Sequence, residues 1–263
     1  MKLKIQVVDA FADEVFKGNQ AAVILTQEWL SEDLMQSIAS ENNLAETAYA
    51  VADDQGVYGI RWFSPLTEID FCGHATLATA FVLFNQISTL TILKFYAKAV
   101  GELEVVRCAN GRIQMSFPNR QPQPLYDIPP SLIAGLSIAP QEVWLSQQAY
   151  FAVYENEADV LAVQQNIEQV KLLAPYDVVV TAASAQYDFV SRYFWPANGG
   201  DEDPVTGSIH AGLTPFWADR LNKSSLVAYQ ASRRGGVLYC DIDGDRVNIS
   251  GTAVQYLEGV ISI

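Results

Sequence analysis

Residues 199–217 read GGDEDPVTGSIHAGLTPFW: two glycines, three acids, a proline, a Thr-Gly-Ser turn and then an apolar stretch of helical character. Asp203 precedes Pro204 and is therefore biased toward an extended backbone. Gly207 suits a tight turn, and Ser208 suits the N-cap of the helix that follows. Such a helix start leaves backbone N–H groups unpaired, a ready seat for an anion, with a carboxylate close by. A second stretch, residues 68–81, reads EIDFCGHATLATAF and repeats the plan: acids, a glycine turn at Gly73, an apolar helix. The chain has only two histidines, and His74 and His210 fall one in each of these turns.

Composition narrows the field. At 263 residues the chain can hold one large domain or two ordinary ones, and 50% hydrophobic with 17% charged residues describes a folded protein. A net charge of −14 argues against nucleic acid or an anionic membrane as partner, though one helix start can still attract a small anion locally. The N-terminus begins directly with strand-like alternation and lacks a signal-peptide pattern, and no apolar run approaches the ~18 residues of a membrane span. Cys72, Cys108 and Cys240 are widely spaced, with neither metal nor disulfide spacing. The expectation is a cytoplasmic protein with reduced thiols.

The first half alternates strands and helices: strands over 3–10, 21–25, 47–51 and 57–63, a helix from Ser31 to about Ser40, then the helix from Gly73. Three further strands close it, with Asn110-Gly111 as a hairpin turn. Residues 118–130, PNRQPQPLYDIPP, hold five of the eleven prolines and read as a linker between a lobe over 1–117 and a lobe over 131–263. The second half places strands at 150–154, 177–180 and 189–195, with one helix near 158–170 and another ending near Leu221. More strands follow to the C-terminus, with a hairpin at Asp243-Gly244 and a last strand that returns to the first lobe. A helix that is apolar all round must be wrapped. The fold class is therefore α/β (α+β): two similar lobes, each a curved, mostly antiparallel sheet around a central helix, related by a pseudo-two-fold. Facing lobes would bring both helix starts to one cleft.

The chemistry-bearing residues each have a bland and a functional reading. Glu46, at the end of a polar loop where a strand begins, is either a solvated acid or a general acid/base held partly out of water. His74 and His210 are either packed helix residues or site residues; two histidines without HExxH or Cys/His spacing argue against metal. Asp203 is either a turn acid or part of the anion site. Ser208 with His210 lacks the nucleophile-elbow pattern. Cys72 beside Gly73 suggests thiol racemase chemistry, but the second turn offers no cysteine to oppose it.

Five segments resemble, in order, the motifs of the phenazine-biosynthesis PhzF-like family: DAFADEVFKGNQAAVIL, NNLAETAYAV, RWFSPLTEIDFCGHATLATAF, EDPVTGSIHAGLTPFW and QASRRGGVLYCDIDGDRVNISGTA. The resemblance implies the fold of diaminopimelate epimerase, with the active site between two lobes and no cofactor. It places Glu46 on the family's catalytic glutamate, and His74 and Asp203 on its active-site histidine and aspartate. Gly73, Gly207 and Ser208 become donors to a substrate carboxylate. Ala45 and Gln20 depart from the motif of the best-known member, which isomerises a dihydro-hydroxyanthranilate. The expected activity is a cofactor-independent proton shift on a small carboxylate. The alternatives are an epimerase of a small amino or hydroxy acid and a non-catalytic carboxylate binder. A homodimer is the assembly to test.

Overall fold

The computed structural model describes residues 1–263. Two compact units result, one formed by Met1–Ser116 with Ser250–Ile263 and the other by Phe117–Ile249.

The first unit runs β1 (Lys2–Ala10), β2 (Asn19–Thr26), α1 (Glu32–Asn42), β3 (Glu46–Ala52), β4 (Val57–Phe63), β5 (Glu68–Ile69), α2 (Gly73–Gln86), β6 (Ile92–Ala97), β7 (Gly101–Arg107) and β8 (Ile113–Pro118). Its sheet is mostly antiparallel. The two parallel pairings, β2 with β3 and β4 with β6, are those bridged by α1 and α2. A parallel step needs a crossover, and the two helices supply it. Helix α2 is buried on almost every side, and β1, β2, β3, β7 and the C-terminal strand all pack against it. Its sequence explains this: GHATLATAFVLF has no Lys, Arg, Asp or Glu, so no face of the helix suits water. On the other side of the sheet, Met35 and Ile38 of α1 pack with Tyr49 and Phe63.

The second unit continues with β9 (Gln123–Pro124), α3 (Pro130–Ala134), β10 (Glu142–Leu145), β11 (Ala149–Val153), α4 (Glu157–Ala162), α5 (Ile167–Val170), β12 (Asp177–Ala183), β13 (Phe189–Trp195), β14 (Gly200–Asp203), α6 (His210–Leu221), β15 (Ser225–Gln230), β16 (Gly236–Asp243) and β17 (Arg246–Gly251). The last strand, β18 (Ala253–Ser262), pairs antiparallel with β1 in the first unit. The strand pattern repeats that of the first unit: β11 runs parallel to β12, β12 antiparallel to β13, and β13 antiparallel to β14 and parallel to β15. Even the register repeats. Thr47 pairs with Phe63 where Val178 pairs with Phe194, and Phe63 pairs with Glu68 where Phe194 pairs with Glu202. Counting from these pairs, Glu46 and Asp177 hold the same place, as do His74 and Ser208.

Several sequence expectations are corrected. The single helix near 158–170 is two short ones: Val163 turns extended, and Asn166 caps the second by accepting from the Gln169 N–H. The guanidinium of Arg192 donates to the Val160 and Val163 carbonyls, terminating the first. Residues 118–130 lie mainly within the second unit's packing, with Gln123–Pro124 paired to β10. Pro215 inside α6 has no N–H to offer the Ala211 carbonyl, and the Arg120 N–H takes its place at 3.0 Å. Gly212 makes room for that approach, since a Cβ there would stand 3.0 Å from the Arg120 oxygen and 2.9 Å from the Phe151 ring. Ser208 does not cap α6: Ile209 precedes the helix, without a side-chain cap. No helix is long and apolar enough to cross a membrane.

Candidate active site

In the first unit, Glu46 opens β3 and His74 is the second residue of α2; both are buried, at 5% and 6% exposure. The polar loop before Glu46 ends where the β2–β3 pairing begins, with Glu46 beside Ala21, and this register carries the carboxylate inward. His74 Nε2 lies 2.9 Å from Glu46 Oε2. Asn19, at the start of β2, places its side-chain amide 3.1 Å from His74 Nδ1. An amide has a donor and an acceptor, so it can serve either protonation state of the ring.

Burial works to lower the His74 pKa, but Cys72 and Glu46 beside the ring outweigh it and hold it well above the ordinary imidazole value. Burial, reinforced by Glu46, pushes the Cys72 thiol up to about 11. A thiol at that value is neutral near pH 7, so Glu46 is the partner that sustains an imidazolium.

Glu46, Cys72 and His74 bring three metal-ligand types within 4.8 Å, a grouping their sequence spacing does not announce. The sulfur is 3.4 Å from Nδ1 and 3.9 Å from Nε2, which places it over the face of the imidazole. An ion on Nε2 would lie in the ring plane, so these donors do not converge on one point as they stand.

In the second unit, Asp203 ends β14, a strand where sequence alone suggests a turn. Its Oδ2 accepts from the Thr206 hydroxyl at 2.5 Å. Gln230 is fully buried and ties the loop together. Its Oε1 accepts from the Thr206 N–H at 2.8 Å, and its Nε2 donates to the Asp203 carbonyl at 2.9 Å. Gly207 and Ser208 follow at the entry to α6, and Ser208 Oγ accepts from Gln148 Nε2 at 3.0 Å.

His210 is the bland one of the two histidines. It is fully buried, its Nδ1 is 2.9 Å from the Thr206 carbonyl, and its ring stacks on Phe189. Burial lowers its pKa to about 4, so it is a neutral packed ring that donates from Nδ1.

Glu46, Gly73 and His74 thus gather in the first unit, with Asp203, Gly207 and Ser208 in the second. Asn19, Thr206, Gln230, Gln148, Tyr193 and Asp177 join these groups without having been singled out from sequence. Only the matching place of Glu46 and Asp177 ahead of apolar strands could have signalled the last.

The chain is an enzyme of the isomerase class, as its relatives show. An uncharacterized isomerase of Pseudomonas aeruginosa is 45% identical over the whole of both chains. Another, from Halalkalibacterium halodurans, is 41% identical over 98% of this chain and 97% of its own. A family model described as phenazine biosynthesis-like protein matches residues 8–259, and the chain belongs to that family. The crystal structure of a phenazine biosynthesis protein of the PhzF family from Enterococcus faecalis superposes with a TM-score of 0.95 at 43% identity, covering all of both chains.

Proposed function

We propose that this isomerase shifts a proton on a small carboxylate substrate without a cofactor, with Glu46 as the general acid/base. The carboxylate would take a proton from a carbon next to an unsaturated bond. The electron pair left behind shifts the double bond, and the protonated Glu46 returns the proton further along the system. His74 and Asp203 would orient the substrate's amine or hydroxyl, and Gly73, Gly207 and Ser208 would hold its carboxylate.

The observation that supports this reading is the state of Glu46: a carboxylate at 5% exposure whose Oε2 lies 2.9 Å from the equally buried His74 Nε2. A carboxylate held out of water beside an imidazole is placed for proton transfer. A helix-start contact of the Gly207–Ser208 kind is typically worth roughly 0.3–1 kcal/mol, enough to orient an anion rather than to bind it tightly.

The test is hydrogen exchange followed by NMR in D₂O, with a panel of small unsaturated, amino and hydroxy carboxylates. Deuterium should enter one carbon position of one ligand with the wild type. Glu46→Gln, which keeps the shape of the side chain, should slow that entry by at least about 100-fold, the low end of what a positioned acid/base contributes. Exchange at the wild-type rate in this variant removes Glu46 from the mechanism. A ligand that saturates the protein with no exchange in either form points to a carboxylate binder instead.

A further inference from the structure

Asp177 holds in the second unit the place that Glu46 holds in the first, yet it is wired differently. Glu46 meets the residue at its helix start directly, through His74 at 2.9 Å. Asp177 meets Tyr193 instead, whose hydroxyl donates to its Oδ2 at 2.5 Å, while Asn198 Nδ2 donates to Oδ1 at 2.8 Å. Tyr193 OH in turn lies 2.9 Å from Gln148 Nε2, and the same nitrogen lies 3.0 Å from Ser208 Oγ.

The directions of these bonds are forced. A carboxylate only accepts, so Tyr193 spends its one proton on Asp177. The phenol oxygen can then only accept, which requires the NH₂ end of the Gln148 amide to face it. The second hydrogen of that NH₂ group points to Ser208 Oγ. Ser208 receives a hydrogen bond and has its own proton left to give. It is only partly buried, so the proton can reach a ligand. Burial raises the Asp177 pKa and the bonds from Tyr193 and Asn198 lower it, with a net rise. Tyr193 is pushed upward by burial and by Asp177, and remains a phenol.

We infer that Gln148 is a positioning residue, locked by Tyr193 and Asp177, that fills one acceptor lone pair of the Ser208 hydroxyl and leaves its proton for a ligand acceptor, most strongly a charged one such as a carboxylate. This rests on the reading of Gly207 and Ser208 as the carboxylate-holding turn. Gln148 acts through Ser208 and need not touch the substrate.

Two measurements on the full chain test it. In ¹⁵N NMR without ligand, both Nε2 protons of Gln148 should be protected from exchange, with Tyr193→Phe exposing one and Ser208→Ala the other. Rapid exchange of both in the wild type overturns the inference.

The second measurement titrates benzoate and benzamide, followed on the backbone amides of Gly207 and Ser208. The wild type should prefer benzoate. Gln148→Met should weaken benzoate about tenfold, the scale of one hydrogen bond to a charged group, and weaken benzamide, a neutral acceptor, by clearly less. A merely structural role would move both equally. Ser208→Ala and the double variant should lose the same factor and no more, because the two residues act as one. A double variant that loses the product of the two factors overturns the inference. So does benzoate bound equally by wild type and Gln148→Met, and this leaves the carboxylate reading intact. If neither compound shifts Gly207 or Ser208 in the wild type, the carboxylate reading fails and takes the inference with it. Should Gln148→Met not fold, Tyr193→Phe, which frees the amide to turn over, carries the same comparison.

Discussion

His74 Nε2 stands 2.9 Å from Glu46 Oε2 at the buried start of α2, and Glu46 is the partner that keeps the imidazole charged. The two residues lie 28 positions apart in the chain and meet because β3 and α2 begin at one level of the same unit.

The pair gives stability a basic-side slope. The folded-state pKa of His74 is raised, so the folded chain holds this proton where the unfolded chain releases it. The contribution is fully present below the ordinary histidine value of about 6.5 and is lost as pH rises through the raised value. Urea unfolding at a series of pH values should show stability falling over that window. His74→Asn should flatten the slope; an unchanged slope would assign it to other groups.

His210 works in the opposite direction. Its pKa falls to about 4 in the folded chain, so the unfolded chain binds the proton first as pH drops below about 6.5. Stability should therefore decline from pH 6.5 toward 4, by about 3 kcal/mol when the shift is converted at 1.36 kcal/mol per unit, and then level off for this group. The same urea series on His210→Gln, which retains a donor for the Thr206 carbonyl, should lose much of that acid-side slope.

Gln230→Leu should destabilise the chain by about 1–3 kcal/mol, the cost of leaving a buried polar group unpaired. It strips the Thr206 N–H and the Asp203 carbonyl of their partner in the loop that carries Asp203. Thermal unfolding measures the loss, and Gln230→Glu separates shape from donor, since it restores the volume and the acceptor alone.

Cys72 should behave as a packing residue beside His74 rather than as a reacting thiol. With its pKa near 11 and its side chain buried, almost none is thiolate at pH 8. Alkylation by iodoacetamide should be far slower than for a free thiol, and Cys72→Ala should keep hydrogen exchange on the substrate within a few-fold of wild type. Rapid labelling with loss of exchange would reinstate thiol chemistry.

The local text of the chain determines most of its elements. Val57–Phe63 and Phe189–Trp195 form strands with the very bounds their sequence suggests, because side-chain pattern is a property of neighbouring residues. Gly111 and Gly244 turn their hairpins at φ +83° and +59°, values open to glycine and costly to most other residues. The run after Gly73, free of Lys, Arg, Asp and Glu, makes a helix that has to be enclosed.

What only the tertiary structure decided are the partnerships across distance. The polar loop before Glu46 gives no hint that the carboxylate ends buried. Nothing near Pro215 shows that Arg120 will supply its missing hydrogen bond. The break after Ala162 meets Arg192, and Ser208 Oγ meets Gln148, 60 positions away. Hydrogen bonds and burial are satisfied by whatever group the folded chain brings near, so their pattern is written in the register of the strands rather than in the order of the residues.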